Sequence, residues 1–389
     1  MAILLFIVGL ILFVGLVVVH EFGHFIVARR NGVGVEEFAI FFPPRLYQRK
    51  TKAGWNFAVN LIPLGGYVKL KGEHDADTAP GSFGAASLWV KSKIMAAGVV
   101  MNLLVALVLL MVLAWLGLPK LIPNQYTVKS DTHLVTQQVL IGDVEPGSPA
   151  AKAGLKAEDV LDGIGLPGHS PVAVNDYSKL PQLTKSFSGK KVIIYYERAG
   201  QHREAGATLL TTQAVQASQK TSNPKGYLGI VPTQFEVQRS TWSAPVVAVG
   251  LAGQVTALTF QGLGHAIGGL GSTIAGAITG NTQARQHGQA NATAQVAGPV
   301  GIFVILKDGS LLGYQFMLFI IAIISLTLVI MNILPIPALD GGRLWITLLA
   351  RGLKKPLSAP MEEAVNLAGF LLLISLIILV TIVDVKRFL

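Results

Sequence analysis

His20-Glu21-Phe22-Gly23-His24 comes directly after an apolar run that extends from Ala2 to Val19. Two histidines four residues apart lie about 40° apart around a helix axis, so their rings project in the same direction. A single helix with this spacing can supply two Zn²⁺ ligands, and the intervening glutamate can polarise a metal-bound water. Ionisable side chains at the end of an apolar span are costly in lipid and usually mark function. The alternative interpretation is a polar cluster at the edge of a membrane anchor.

The composition indicates an integral membrane protein. The chain has 389 residues, of which 51% are hydrophobic and 13% are charged, and its mean hydropathy is +0.55. Such values are atypical of a soluble globular protein. Cysteine is absent, which excludes disulfides and thiolate chemistry, so any metal site must use His, Asp or Glu. We attribute the net charge of +10 to basic residues that flank membrane spans, and we expect no nucleic-acid partner.

Four segments are apolar over about the 20 residues that cross a bilayer. They are residues 2–28, 94–116, 311–334 and 364–383. The first is predicted to be a retained span, because it lacks the basic start and the small-residue cleavage site of a signal peptide. Basic residues are concentrated in the loops after the first and third spans. The positive-inside rule then places both chain ends and the long segment 117–310 outside the cytoplasm, although Lys386 and Arg387 weigh slightly against this orientation.

Residues 55–70, WNFAVNLIPLGGYVKL, predict a β-hairpin, because two β-prone apolar runs flank a proline and a Gly-Gly pair. The segment is unusually apolar for a cytoplasmic loop. Non-helical backbone at membrane depth is tolerated only when it is buried in protein, so we expect the hairpin to dip into the protein interior. Its strand edge could hold an extended peptide. An ordinary interfacial hairpin is the alternative.

Within the outer segment, residues 125–232 are polar and contain strand-like runs and turn signals. Residues 139–144, 159–164 and 191–197 are predicted strands, 147–155 a short capped helix, and 175–187 a helix with Asn175 as its N-cap. These elements predict one α+β domain within residues 117–235.

The stretch 242–280 is apolar enough to be considered as a span. A crossing there would reverse the third span, so we predict that 236–310 forms an amphipathic region at the outer interface.

A catalytic zinc site needs a third protein ligand and an open position. Asp340 is the best candidate, because it lies at the inner end of the third span, the same depth as the end of the first. The alternative role for Asp340 is a helix-end cap. His74 stands in a polar run and is expected to be solvated. Asn102 and Asn332 also lie within or beside spans, where they can hydrogen-bond a partner helix or a substrate backbone.

These residues carry a resemblance. The chain resembles the site-2 protease family of intramembrane zinc metalloproteases, in its bacterial regulator-of-sigma-E-protease-like branch. The family motifs match at His20–His24, at Gly98–Asn102 and at Asn332–Gly341. The resemblance implies that one Zn²⁺ is held by His20, His24 and Asp340, with Glu21 as the catalytic residue. It also implies that the 55–70 hairpin clamps substrate. The residues implied in substrate binding are Asn60, Gly65, Gly66, Tyr67, Asn102 and Asn332.

The outer domain resembles a single circularly permuted PDZ domain. Residues 147–155 match its Gly-Ser-Pro-Ala signature, and the carboxylate-binding loop corresponds to Gly226, Tyr227, Leu228, Gly229 and Ile230. The peptide groove is then expected between this loop and the 175–187 helix. One departure is Glu158, which stands where glycine is usual in a turn.

The expected fold class is therefore a membrane α-helical protein with four transmembrane helices, a reentrant β-hairpin and one extracytoplasmic PDZ (α+β) domain. Residues 1–116 would carry the first two spans and the zinc motif, 117–235 the PDZ domain, 236–310 the interfacial linker, and 311–389 the last two spans with the third zinc ligand.

The expected function is intramembrane proteolysis, in a bacterial cytoplasmic membrane, of single-span proteins such as anti-sigma factors or remnant signal peptides. Peptide or protein C-termini would bind the PDZ groove. A metal-binding or transporting membrane protein, which would not need Glu21, and an inactive PDZ scaffold are the alternatives.

Overall fold

The computed structural model describes residues 2–73, 77–219, 221, 224–281, 283, 298–353 and 358–388. Several long apolar helices occur together with two β-sheets. The chain divides into two compact units. The first unit comprises Met1–Leu5, Met111–Val247 and Ser310–Phe316, and the second comprises Phe6–Leu110, Ala248–Gly309 and Met317–Leu389.

The helices and strands are numbered here in chain order. The helices are α1 (Ala2–Arg30), α2 (Leu88–Leu116), α3 (Pro149–Lys152), α4 (Leu180–Ser186), α5 (Thr212–Ser218), α6 (Ala244–Thr279), α7 (Pro299–Gly309), α8 (Tyr314–Ile333), α9 (Asp340–Gly352) and α10 (Ala359–Phe388). The strands are β1 (Val35–Lys50), β2 (Asn56–Leu70), β3 (Leu118–Pro119), β4 (His133–Val144), β5 (Val160–Gly165), β6 (Val172–Ala173), β7 (Lys191–Arg198), β8 (Gln201–Thr208) and β9 (Ile230–Arg239).

Among the described residues, five helices are long and apolar enough to cross a membrane, by length and composition. Four of them, α1, α2, α8 and α10, coincide with the four predicted spans. The fifth is α6, in the stretch predicted to lie at the interface. Its mean hydropathy of 1.5 is well below the 2.7 to 3.1 of the other four. The chain is therefore a multipass membrane protein, and the interfacial position of α6 stays a prediction.

The sheet of the second unit corrects the hairpin prediction for residues 55–70. Glu37 is paired with Asn56 on one side and with Lys69 on the other, so the start of β1 lies between the two halves of β2. The two predicted hairpin strands are not paired with each other. The inserted segment is suited to this central place, because Phe38 and Ala39 are buried.

The strand β1 then turns back on itself. Phe41 has a positive φ of 71°, and Pro43 and Pro44 follow it, where a residue without an N–H interrupts the ladder. The carboxamide of Asn60 donates to the carbonyl of Phe41 at 2.9 Å. Beyond the turn, residues 45–50 pair with residues 56–60.

The first unit contains a seven-stranded sheet in the order β3-β9-β4-β5-β7-β8, with β6 paired to β5. Its core is formed by inward-facing aliphatic side chains of adjacent strands. Val139, Ile141, Leu161, Ile164, Val192 and Ile194 are all fully or almost fully buried. The predicted strands at 139–144, 159–164 and 191–197 are confirmed.

Two local features of this unit refine the sequence predictions. The predicted N-cap Asn175 is wrong, because the helical segment begins with a 3₁₀ turn capped by Asp176, whose side chain accepts a hydrogen bond from the amide of Ser178. Ser178 offers its amide two residues after Asp176, the spacing of an Asx turn. Glu158, where the resemblance to a PDZ domain predicts glycine, has a φ of 70°, in the left-handed region that favours glycine.

Asp131 is a buried carboxylate that binds the residues just before α6. It accepts hydrogen bonds from the amides of Thr241 and Ser243 at 2.8 and 3.0 Å, from the hydroxyl of Ser243 at 2.6 Å, and from the hydroxyl of Thr241. Desolvation of the carboxyl opposes its ionisation, but the hydrogen bonds from Ser243 and Thr241 hold the pKa of Asp131 well below its ordinary value. The ionised form therefore stabilises the folded state.

We predict that Asp131→Asn destabilises the first unit at neutral pH, because an amide cannot accept all four hydrogen bonds. A group whose pKa is lowered by folding stabilises above its unfolded pKa of about 3.9 and loses that contribution as the pH falls below it. The difference in thermal midpoint between wild type and variant should be constant above about pH 5 and shrink below about pH 4. Tryptophan fluorescence of the full chain in detergent measures it, since Trp115 donates to the Thr241 carbonyl. Equal midpoints at pH 7 would contradict the assignment.

Candidate active site

Three side chains from two distant parts of the chain converge in the second unit. The Nε2 atoms of His20 and His24 lie 3.0 and 3.1 Å from Oδ2 of Asp340, and 3.3 Å from each other. A tetrahedral Zn²⁺ with bonds of about 2.0–2.2 Å separates its ligand atoms by about 3.3 Å. The three atoms therefore have the spacing that one zinc ion requires. Among the described residues, they form the one group of His, Asp and Glu with metal-ligand spacing.

The ring of His24 is oriented by a backbone carbonyl. Its Nδ1 lies 2.7 Å from the carbonyl oxygen of Ile94 on α2, in a buried position. A carbonyl can only accept, so Nδ1 carries the proton and donates it. Nε2 is then left with a lone pair that faces Asp340 and His20, which is the arrangement that metal-ligating histidines use.

Gly98 explains how α2 approaches so closely. A Cβ atom at this position would lie 2.4 Å from Nε2 of His24 and 2.6 Å from Nε2 of His20. At Gly23, a Cβ would lie 2.7 Å from the carbonyl oxygen of Ala97. The two helices thus meet backbone to backbone beside the imidazoles, and only glycine fits at either position.

Asn102 lies one turn after Gly98 and contacts the other histidine. Its Nδ2 is placed 3.3 Å from Nδ1 of His20, while its Oδ1 is buried without a hydrogen-bond partner. A His20 that binds metal through Nε2 must be protonated at Nδ1 and needs an acceptor there. Carboxamide nitrogen and oxygen are interchangeable by a flip, so we assign the oxygen of Asn102 to this contact. The Gly-x-x-x-Asn spacing places both residues against the histidine pair.

Asp340 is the first residue of α9, and glycines bring that helix onto the preceding turn. A Cβ at Gly341 would lie 2.5 Å from the carbonyl oxygen of Leu334, and one at Gly342 only 2.0 Å from that of Ile336. The alternative role of Asp340 as a helix cap is not what its side chain does. The N-cap position is Leu339, with no side-chain cap, and the Asp340 carboxylate faces the two histidines.

Glu21 borders a cavity of about 200 Å³ that also reaches His24 and Asp340. One wall is the end of β2, residues Gly66 to Val68, and a Cβ at Gly66 would lie 3.1 Å from Cγ of Glu21. The amide of Leu70 donates to Oε1 of Glu73 at 2.6 Å. This end of β2 pairs with β1 on one edge, and it lines the same cavity as Glu21.

The remaining predicted substrate-binding residues are placed differently. Gly66 and Tyr67 line the cavity beside Glu21, and the Tyr67 hydroxyl donates to Oε1 of Glu37 at 2.6 Å. Asn60 is bound to the Phe41 carbonyl, and Gly65 lies against the ring of Phe42.

Asn332, in contrast, makes no hydrogen bond with a described residue. The structure therefore brings Asn102, Gly66 and Tyr67 to the site and gives Asn60 a contact within the sheet. His74 lies outside the described residues.

Arg343 is a site residue that the sequence analysis missed. It lies one turn after Asp340 and lines the same cavity as Glu21. Its Nη2 donates to the Glu73 carbonyl, and its guanidinium carbon lies 4.7 Å from the centre of the Phe83 ring. Its position could have been predicted, because Arg343 follows Asp340 by three residues and residues three apart on a helix share a face.

The predicted carboxylate-binding loop lies in the first unit. Gly229 has a φ of 76°, and a Cβ there would lie 2.2 Å from the Cβ of Ser148. Leu228 is buried in the core, and its carbonyl accepts from the amide of Ala150. Residues 226–230 thus pack on the start of α3, and their role in binding peptides stays a prediction.

Comparisons with known proteins agree on one family. The model of peptidase family M50 matches residues 8–376. A protein of Clostridium perfringens that bears a zinc-metalloprotease name is 29% identical over 377 residues, which cover 97% of each chain. A similarly named protein of Clostridium acetobutylicum is 30% identical and covers 97% of this chain and 96% of its own. One of Campylobacter jejuni is 29% identical, with 96% and 90% covered.

We predict that Gly98→Ala weakens zinc binding, because the added methyl would overlap both imidazoles. Metal analysis of the purified chain should show at least about a tenfold lower zinc affinity than wild type. Gly15→Ala is the matched control, since it lies on the histidine-bearing helix with nothing within 4 Å of its Cβ position. Full zinc occupancy in Gly98→Ala would refute the close-packing account.

We further predict that Asn102→Leu weakens zinc binding by about 10- to 100-fold, the usual effect of removing a residue that orients a ligand. Asn102→Asp should retain most of the affinity, because a carboxylate can still accept from Nδ1 of His20. Competition with a fluorescent zinc chelator measures both. If the leucine and aspartate variants bind zinc equally, Asn102 does not act through an acceptor oxygen.

Proposed function

We propose that this chain, which belongs to peptidase family M50 and is a zinc metalloprotease, cleaves the membrane-spanning segments of single-span proteins. One observation carries the proposal. The zinc-ligand spacing of His20, His24 and Asp340 adjoins a cavity that holds both Glu21 and a β-strand edge. Hydrolysis of an extended peptide requires all three parts.

The residues divide the chemistry between them. His20, His24 and Asp340 would hold one Zn²⁺ per chain, which supplies Lewis acidity to water and to the scissile carbonyl. Glu21 borders the same cavity and is placed to accept the proton of the attacking water and deliver it to the leaving amine. Asn102 keeps the His20 ring in position. A metal carrier would not need a general base here, which disfavours transport.

The edge of β2 provides a place for the substrate backbone. Peptide bonds in a transmembrane helix are hidden by hydrogen bonds, so the substrate must unwind before it is cut. Strand addition replaces the lost bonds with new ones to a sheet edge. The segment from Gly66 to Leu70 is suited to this, because its second edge borders the Glu21 cavity. Residues Gly66 and Tyr67 are therefore proposed to bind substrate, with Tyr67 held by Glu37.

The membrane arrangement is part of the proposal. We place α1, α2, α8 and α10 across a bacterial cytoplasmic membrane and α6 at its outer interface. Both chain ends and the first unit lie outside the cytoplasm. The distribution of basic residues supports this orientation, and the lower mean hydropathy of α6 supports its interfacial position.

The first unit is proposed to be a circularly permuted PDZ domain. The left-handed Gly229, the sheet and the adjacent α4 support this assignment. Peptide or protein C-termini would bind at residues 226–230, where they could govern which substrates reach the protease. Candidate substrates are anti-sigma factors and remnant signal peptides.

We predict that Glu21→Gln lowers the cleavage rate by about 10²- to 10⁴-fold, the usual contribution of a general base. The assay follows a single-span test substrate and the purified chain in detergent. Zinc content should stay at the wild-type level, since Glu21 is not among the three converging ligands. A chelator should stop the wild type, and added zinc should restore it. Cleavage by zinc-loaded Glu21→Gln at the wild-type rate would overturn the mechanism.

A further inference from the structure

A second cavity, of about 440 Å³, lies on the other side of Asp340. It is an open cavity between the turn before α9 and one face of α10, and its lining includes Ala338, Asp340, Arg343, Asn366 and Phe370. Asp340 and Arg343 also line the cavity that contains Glu21. The first turn of α9 therefore separates two cavities, and the proposed third zinc ligand faces both.

Asn366 is an unmatched polar group on an apolar helix. The other described polar side chains of α10 are paired: Ser375 and Thr381, for example, donate to carbonyls four residues earlier, and Asp384 accepts from the amides of Gly298 and Gly301. Asn366 makes no hydrogen bond with any described residue and lines the second cavity. A carboxamide without partners is costly in an apolar segment, and a molecule that enters the cavity can supply the partner.

The face of α10 that carries Asn366 is held against the Asp340 turn. A Cβ at Gly369 would lie 2.4 Å from the carbonyl oxygen of Pro337, so the helix touches the turn backbone to backbone. Residues three apart on a helix share a face. Gly369 therefore keeps Asn366 pointed along the turn that ends in Asp340.

Within the part of the chain that the structure describes, Arg343 has a second hydrogen-bond donor without a partner beside the same cavity. It lines both cavities, and its Nε is buried without a hydrogen-bond partner among the described residues. The Asn366 carboxamide and the Nε atom of Arg343, both without hydrogen-bond partners among the described residues, thus line the cavity beside Asp340. A peptide backbone carries one donor and one acceptor per residue and can satisfy both.

We propose that Asn366 is a further substrate-binding residue, whose carboxamide hydrogen-bonds the unwound substrate backbone on the side of the scissile bond opposite the β2 edge. The inference rests on the proposed function. An extended chain that pairs with Gly66–Leu70 and passes the zinc ligands must continue beyond Asp340, and the second cavity is where it does so. Because every residue of an unwound chain offers a backbone donor and acceptor to a carboxamide, this contact selects for an unwound conformation more than for sequence.

The absence of cysteine allows a direct test in the full chain. Asn366→Cys is introduced into Glu21→Gln and mixed with substrates that carry single cysteines along their membrane segments. Oxidation should form a disulfide with substrate cysteines within a few residues of the cleavage site, on one side of it only. Ala368→Cys is the matched control, because it lies at the same depth but about 200° away around the helix. Equal cross-linking at both positions, or none at Asn366, overturns the proposal.

Kinetics separate this inference from the proposed function. Asn366→Leu should raise KM about three- to tenfold with kcat within about twofold, as expected for one lost hydrogen bond to the bound substrate. Leucine is favoured in a membrane helix, so folding is not at risk, and Asn366→Gln should recover part of the loss. An unchanged KM while Glu21→Gln stays inactive refutes the role of Asn366 alone. If the wild type cuts no substrate, the proposed function fails and the inference fails with it.

Discussion

The contact between Gly98 and the two imidazoles is the constraint on which the site depends. Because a glycine stands there, α2 approaches α1 closely enough for the Ile94 carbonyl to orient His24 and for Asn102 to reach His20. The same stretch of α2 also contacts α8, since the hydroxyl of Ser325 donates to the backbone carbonyl of Asn102 at 2.8 Å. A side chain at residue 98 would separate these partners at once.

Similar close contacts deliver Asp340 from the far end of the sequence. Gly341 and Gly342 allow α9 to begin directly on the turn before it, and Gly369 brings α10 onto the same turn. In lipid, apolar side chains gain nothing by leaving the solvent, so helices associate through close packing at small residues. The site is thus assembled from backbone contacts between helices, and the catalytic side chains project from them.

Much of the site could be predicted from local sequence. The histidine pair follows from helical periodicity, the helices from hydropathy, and Asp340 from its depth at a helix end. The pairing of β1 with both halves of β2 could not be predicted, because Glu37 meets partners 19 and 32 residues away and nothing in a local pattern encodes which strand enters between two others. Arg343 and Asn366 were missed for a related reason. Each is ordinary within its own helix and becomes informative only when the cavity beside it is known.

The edge of β2 has a consequence for which chains are cut. In the resting structure its amide at Leu70 already donates to the Glu73 carboxylate, so an incoming strand must compete with that carboxylate for the donor. Pairing then exchanges one hydrogen bond for another and yields little net energy with which to unravel a firm helix. On the proposed function, the enzyme would cleave substrates whose transmembrane helices are unstable. The cleavage rate would depend more on how readily the substrate helix unwinds than on affinity for its side chains.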